Sequence, residues 1–121
     1  MPHDLTLHHC LIAIFTLEGC GHCEAYVPLV EAEVARLQRA RRPIEMLRAD
    51  RPPGEAAVLV AVYDLTKGDH TVQAFADRYQ IETTPTTLVL PHGAGAFKVA
   101  SALTPSQITH VLEDALRRAG A

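Results

Sequence analysis

The chain predicts an α/β domain in which a central mixed sheet of four strands is flanked by three helices, with a short fifth strand offered at residues 44–48. Three observations carry this reading. A continuous apolar run at 9–16 gives way, at Cys20-Gly21-His22-Cys23, to apolar residues spaced by three and four. A second apolar run, AVLVAVYDL at 57–65, follows that helical stretch, and strand–helix–strand implies a right-handed parallel crossover. The pattern LVLPHGAGAFKVA then adds an antiparallel hairpin, and a well-capped helix follows it.

Each element has its own justification. In the first run Ile12, Ile14 and Phe15 favour extended, buried structure. From about Gly21, Cys23, Tyr26 or Val27, Val30, Val34 and Leu37 form the apolar stripe of a helix. Glu24, Glu31 and Glu33 precede Arg36, Arg39, Arg41 and Arg42, an order that complements the helix dipole. Pro28 predicts a kink, and Pro43 predicts the end of the helix. Arg51-Pro52-Pro53-Gly54 reads as a loop. Residues 57–65 read as a core strand; a helix starting at Pro53-Gly54-Glu55 is the competing reading. Lys67-Gly68-Asp69 punctuates, and Val72, Phe75 and Tyr79 mark a short helix. Residues 87–90 form a strand, Pro91-His92-Gly93-Ala94-Gly95 a turn, and 96–100 the return strand. Thr104 is an N-cap, Pro105 fills the first helical position and Gln107 completes a capping box. Ile108, Val111, Leu112 and Ala115 give that helix its buried face, and Arg117 and Arg118 close it.

At 121 residues, with 48% hydrophobic and 21% charged side chains, the chain is in the range of one globular domain with its own core. A net charge of −3 and the lack of a long basic run argue against a nucleic-acid partner. No apolar stretch is long enough to span a bilayer, which argues against a membrane partner. The N-terminus lacks the basic start and small-residue cleavage site of a signal peptide, so the cytoplasm is the expected location. A form trimmed of an export signal would read the same. A monomer is expected.

Three cysteines are too few for a disulfide scaffold, which turns attention to the pair at 20 and 23. A thiol just outside the first turn of a helix faces unpaired backbone N–H groups and the positive end of the dipole. Both favour the thiolate, the reactive species. A second cysteine three residues on shares its face, and can close a small disulfide with the first or resolve a mixed disulfide formed by it. An imidazole between them, His22, would stabilise a nearby thiolate when protonated. Two other readings stand beside this one. The thiols could be inert, or Cys20, Cys23, Cys10 and a histidine (His3, His8 and His9 crowd the start) could hold zinc or copper. A second Cys-x-x-Cys, which a structural zinc would favour, is lacking. Cys10, at the start of the first strand, reads as plain core. His70, His92 and His110 read as solvated surface, and Tyr26 and Tyr79 as core or rim.

Taken together, the strand running into Cys20-Gly21-His22-Cys23, a proline five residues later at Pro28, Thr84-Pro85-Thr86 before a strand, and the final hairpin and helix resemble the thioredoxin superfamily over about residues 9–119. The dipeptide Gly21-His22 is similar to that of protein disulfide isomerase domains. The resemblance implies a thioredoxin-like fold and a thiol–disulfide oxidoreductase that acts on protein disulfides or dithiols together with a redox partner and needs no cofactor. It implies Cys20 as attacking thiol, Cys23 as resolving thiol and His22 as their modulator. It also implies a cis Thr84–Pro85 bond beside the cysteines, with Gly21, Thr84 and Pro85 contacting an extended substrate. A thioredoxin-fold module that binds a metal or partner without redox turnover is the alternative. Three departures stand out. Gly19 precedes the first cysteine where the family usually has an aromatic residue. Ile14 stands six residues before Cys20, where the family often buries a carboxylate. Residues 43–56 look like an insertion, and the extra strand and helix that open full thioredoxins are absent.

Overall fold

Seven consecutive residues with hardly a polar atom among their side chains, Cys10–Thr16, form β1, and every one of them is buried. A strand can bury both faces only at the centre of a sheet covered on both sides. β1 meets that condition in the computed structural model, which describes residues 10–47, 56–91 and 95–120. It pairs in parallel with β3 (Val58–Asp64) and antiparallel with β4 (Thr86–Leu90). β2 (Ile44–Met46) joins β3 in parallel at one edge, and β5 (Phe97–Val99) joins β4 antiparallel at the other. The order is β2-β3-β1-β4-β5.

The sheet therefore has five strands, the short one offered after the first helix being the fifth. Ile44 is buried beneath helix α1 (Gly21–Arg39) and draws the short segment after that helix into the sheet edge. Residues 44–46 thus belong to the fold, while 48–55, most of the expected insertion and its loop, lie outside the described residues. Residues 58–64 take the strand reading, not the helical one.

Alternation along β1 divides its side chains between two cores. Cys10, Ile12 and Ile14 face α1 and α3 (Pro105–Arg118), packing with Tyr26, Val30, Val34, Leu37, Ile108 and Leu112. Leu11, Ala13 and Phe15 face the other side, against Phe75 and Ala76 of α2 (His70–Arg78). Phe15, Tyr63, Phe75 and Tyr79 form a run of ring contacts there, with centroids 5.4–5.7 Å apart.

The helix ends are set by side chains and backbone geometry. α1 runs on through Pro28 as a single element but stops at Arg39, short of Pro43. Arg41 takes a left-handed φ of 62°, which brings its N–H to the Gln38 carbonyl and that of Arg42 to the Leu37 carbonyl. This closing turn satisfies the last carbonyls before any proline is needed. It also leaves Arg41 and Arg42 outside the helix, and Arg42 bridges to Glu113 of α3 at 2.6 Å. Asp69 caps α2 by accepting from the N–H groups of Thr71 and Val72. The neighbouring glycine is required by space: a Cβ on Gly68 would come within 2.7 Å of the Val72 side chain. Lys98 Nζ donates to the Tyr79 and Gln80 carbonyls and so ties β5 to the C-terminal end of α2. The expected capping box of α3 forms, with Thr104 and Gln107 reciprocally bonded.

Two substitutions probe this arrangement by urea unfolding. Ile12→Ala, which opens a cavity between β1 and both helices of its face, should cost about 2–5 kcal/mol. Thr104→Ala should cost about 1 kcal/mol through loss of the cap alone. A milder loss at Ile12 than at Thr104 would contradict the central placement of β1.

Candidate active site

β1 delivers the chain to the end of the sheet at Thr16, and after four intervening residues α1 begins at Gly21. The turn between them is held from both sides. The Cys20 N–H reaches back to the Leu17 carbonyl at 3.2 Å. The Glu18 N–H donates to Thr66 Oγ1 at 2.9 Å, and the Leu65 N–H to the Thr16 carbonyl at 2.8 Å, which pins the turn to the loop after β3. Gly19 has a φ of 81°, a conformation open to glycine and strained for an aromatic residue, although nothing lies within 4 Å of where a Cβ would stand. The missing aromatic is thus matched by a backbone bend.

Cys20 is the N-cap of α1, with extended backbone (φ −84°, ψ 102°). Its Sγ accepts the Cys23 N–H at 3.2 Å. The sulfur therefore occupies the position of a capping oxygen, at the positive end of the helix. Cys20 and Cys23 are joined by a disulfide, with Cα atoms 5.2 Å apart. The two differ in access: Cys20 is half-buried, whereas Cys23 is 4% exposed and lies on the apolar stripe of α1. Gly21 and His22 are exposed between them.

Across from Cys20 stands the segment that enters β4. Cys20 Sγ lies 3.7 Å from the Thr84 carbonyl oxygen. The Thr84–Pro85 bond is cis, Pro85 is buried and Thr84 half-buried. Thr86 Oγ1 donates to the Thr83 carbonyl at 2.7 Å and holds this turn closed. Two segments 64 residues apart in sequence, Cys20 to Cys23 and Thr84 to Pro85, thus meet.

Among the described residues no carboxylate is buried beneath the cysteines. Ile14 is flanked in the sheet by Val62 and Thr87. Glu18 and Glu24 are both exposed. The buried polar group on this face is a hydroxyl pair: Tyr26 Oη and Thr87 Oγ1 lie 2.7 Å apart. Burial raises the Tyr26 pKa, opposed by its bonds to Thr87 and to the Leu103 backbone, so the phenol stays protonated. Sequence reasoning placed Tyr26 only as core or rim. The available signal was a tyrosine in the buried stripe one turn after Cys23, since a buried phenol requires a partner.

Cys10 is the cysteine that does not belong to this cluster. It begins β1, roughly 20 Å of extended chain from the end where Cys20 sits, at about 3.3 Å per residue. It is free and buried on the α1/α3 side. Burial, and secondarily Asp114, push its pKa up to about 11 against a smaller lowering by Arg118. The metal reading that joined Cys10 to the pair is therefore not supported by placement, and no group of three or more His, Cys, Asp or Glu among the described residues is arranged to hold a metal ion. His3, His8, His9 and His92 lie outside the described residues. No helix among those residues is long and apolar enough to cross a membrane.

No protein-family model matches the chain, and no curated protein sequence does. Solved structures do. Chloroplastic thioredoxin z superposes with a TM-score of 0.61 at 18% identity, over 89% of this chain and 79% of that one. Thioredoxin O2 from Arabidopsis thaliana, in the oxidized state, gives 0.61 at 13% identity over 88% and 75%. The J-Trx1 fragment of ERdj5 gives 0.62 at 12% identity, over 91% of this chain and 44% of that one. The shared property is the fold, which is thioredoxin-like.

The buried thiol yields a test by pH. With its pKa raised from 9.0 to about 11, Cys10 keeps its proton in the folded state at pH values where the unfolded chain has lost it. Its contribution to stability is complete below about pH 9 and falls as pH rises toward 11. In native protein at neutral pH, Cys10 should resist iodoacetamide and react on adding denaturant. Rapid native labelling, read by mass spectrometry, would contradict its burial.

Proposed function

We propose that the chain is a thiol–disulfide oxidoreductase that exchanges disulfides with protein substrates through Cys20 and Cys23. The observation that carries this reading is the capping sulfur: a half-buried Cys20 at the helix N-terminus, disulfide-linked to a buried Cys23 and facing Thr84-Pro85. In the reducing direction the Cys20 thiolate attacks a substrate disulfide. One sulfur–sulfur bond forms, the substrate's breaks, and the departing thiolate takes a proton. Cys23, deprotonated in turn, attacks the Cys20 sulfur and releases the second substrate thiol, leaving the Cys20–Cys23 disulfide. Two electrons have passed to the substrate. The oxidising direction runs the same steps backwards, and the cysteines suffice without a cofactor.

The finer assignments follow the chemistry of the surroundings. Backbone N–H groups of the first helical turn stabilise the Cys20 thiolate. His22, exposed beside it, adds positive charge when protonated and makes the pair more oxidising, as in the isomerase-like dipeptide. Thr84 and Pro85 offer backbone beside the sulfur for an extended substrate segment, with Gly21 leaving the approach open. Ile14, in place of a carboxylate, leaves Cys23 without a buried proton acceptor, so solvent-exposed groups such as Glu18, Glu24 or His22 take that role.

The equilibrium of the pair with a glutathione buffer reports both competence and direction, since about 30 mV changes this two-electron equilibrium tenfold. Reduced protein should alkylate first at Cys20 near neutral pH; faster labelling of Cys23 would overturn the assignment of roles. Cys23→Ser should accumulate mixed disulfides with substrate that Cys20→Ser cannot form. His22→Pro should make the pair more reducing, because whatever stabilises the thiolate stabilises the reduced form. An unchanged potential and an unchanged thiolate titration would reduce His22 to a spacer.

A further inference from the structure

Tyr26 and Thr87 form a hydroxyl pair that the exchange reaction does not use, at a place where an apolar pair would pack. Tyr26 is 2% exposed and Thr87 also 2%. Each belongs to one of the two segments that make the site. Tyr26 lies one turn after Cys23 on the buried stripe of α1, and Thr87 lies two residues after Pro85 in β4. The two segments are therefore tied at one buried bond, while at the surface they face one another across the 3.7 Å between Cys20 Sγ and the Thr84 carbonyl. Buried hydroxyls have strong directional demands, because an unpaired one in an apolar surround is costly. Ile12, Ile14, Val30, Leu103, Ile108, Val111 and Leu112 supply that surround.

We propose that Tyr26 is a positioning residue of the redox site: its bond to Thr87 clamps the cysteine-bearing end of α1 against the segment that carries Thr84, and so sets the distance between Cys20 Sγ and the Thr84 carbonyl. The proposal rests on the oxidoreductase reading above. In reduced protein that carbonyl acts on Cys20 in two ways with one sign. It accepts a hydrogen bond from the thiol, and its lone pairs repel the thiolate. Both raise the Cys20 pKa against the lowering by the helix N-terminus. Releasing the clamp lets the carbonyl recede, so the Cys20 pKa falls. The other charged or titratable groups on the segments that meet here include Glu18, His22, Cys23 and Glu24 around the start of α1, Asp64 and Lys67 around the end of β3, and Glu82 before Thr84. The variants below leave all of them in place.

The test compares Tyr26→Phe and Thr87→Val, each close to isosteric and each removing one hydroxyl, with Thr87→Ser, which keeps it. The Cys20 thiolate is titrated in reduced protein by ultraviolet absorbance and by alkylation rate against pH. Both hydroxyl-less variants should move the titration down by about half a pKa unit or more, a roughly threefold rise in thiolate below the midpoint. The double variant should move it no further than either single one, since both remove the same bond. Thr87→Ser should titrate as the unmodified protein does. Variants that lose stability in urea but keep the original titration would overturn the proposal, leaving the pair a support of the fold alone; an upward shift would overturn it too. Should Tyr26→Phe fail to fold, the comparison of Thr87→Val with Thr87→Ser decides. Failure of the unmodified pair to exchange with glutathione would instead sink the oxidoreductase reading, and that measurement precedes the variants.

Discussion

β1 has no exposed residue, and its neighbours on both sides belong to segments far away in sequence. A strand buried on two faces and paired on two edges leaves its chain nowhere to turn until it emerges from the sheet. In this molecule it emerges at Thr16, and the bend at Gly19 places Cys20 at the head of α1. The same strand aligns β4 antiparallel, with Phe15 opposite Thr86, so that Thr84 and Pro85 arrive at the same end of the sheet. The meeting of the cysteines with Thr84-Pro85 is thus a consequence of where β1 lies.

That location also explains why the two bonded cysteines have different surroundings. Cys20 is outside the helix, capping it, where backbone N–H groups can stabilise a negative sulfur. Cys23 is inside, on the stripe that packs against β1, where desolvation disfavours charge. In the proposed exchange reaction this difference gives attack to Cys20 and resolution to Cys23. The third cysteine shows the same physics taken further: buried at the opposite end of β1, Cys10 is held as a neutral thiol. Below the site, buried Ile14 and the hydroxyl pair of Tyr26 and Thr87 replace charge with packing and directional bonding.

Much of this was legible from residue patterns because the signals are local or nearly so. The capping box at Thr104 and Gln107 depends on a spacing of three, and the stripe from Cys23 to Leu37 on helical period; both form. The end of α1 was misplaced because it depends on Arg41 adopting a left-handed conformation that arginine does not advertise, so Pro43 looked like the stop. β2 was only half-visible because three residues carry no period, and Ile44 becomes strand through burial under α1. The capping role of Asp69 was readable in principle and was masked by the neighbouring Lys67-Gly68 turn signal.

The sequence by itself determined the order of elements, the cysteine spacing at a strand-to-helix junction and the capped final helix, because each arises from contacts within a few residues along the chain. Only the tertiary structure decided which groups share the site. It brought Thr84 to 3.7 Å from Cys20, paired Tyr26 with Thr87, and left Cys10 at the far end of its strand. Those outcomes depend on strand order and register, which are set by the burial of whole faces and not by any short run of residues.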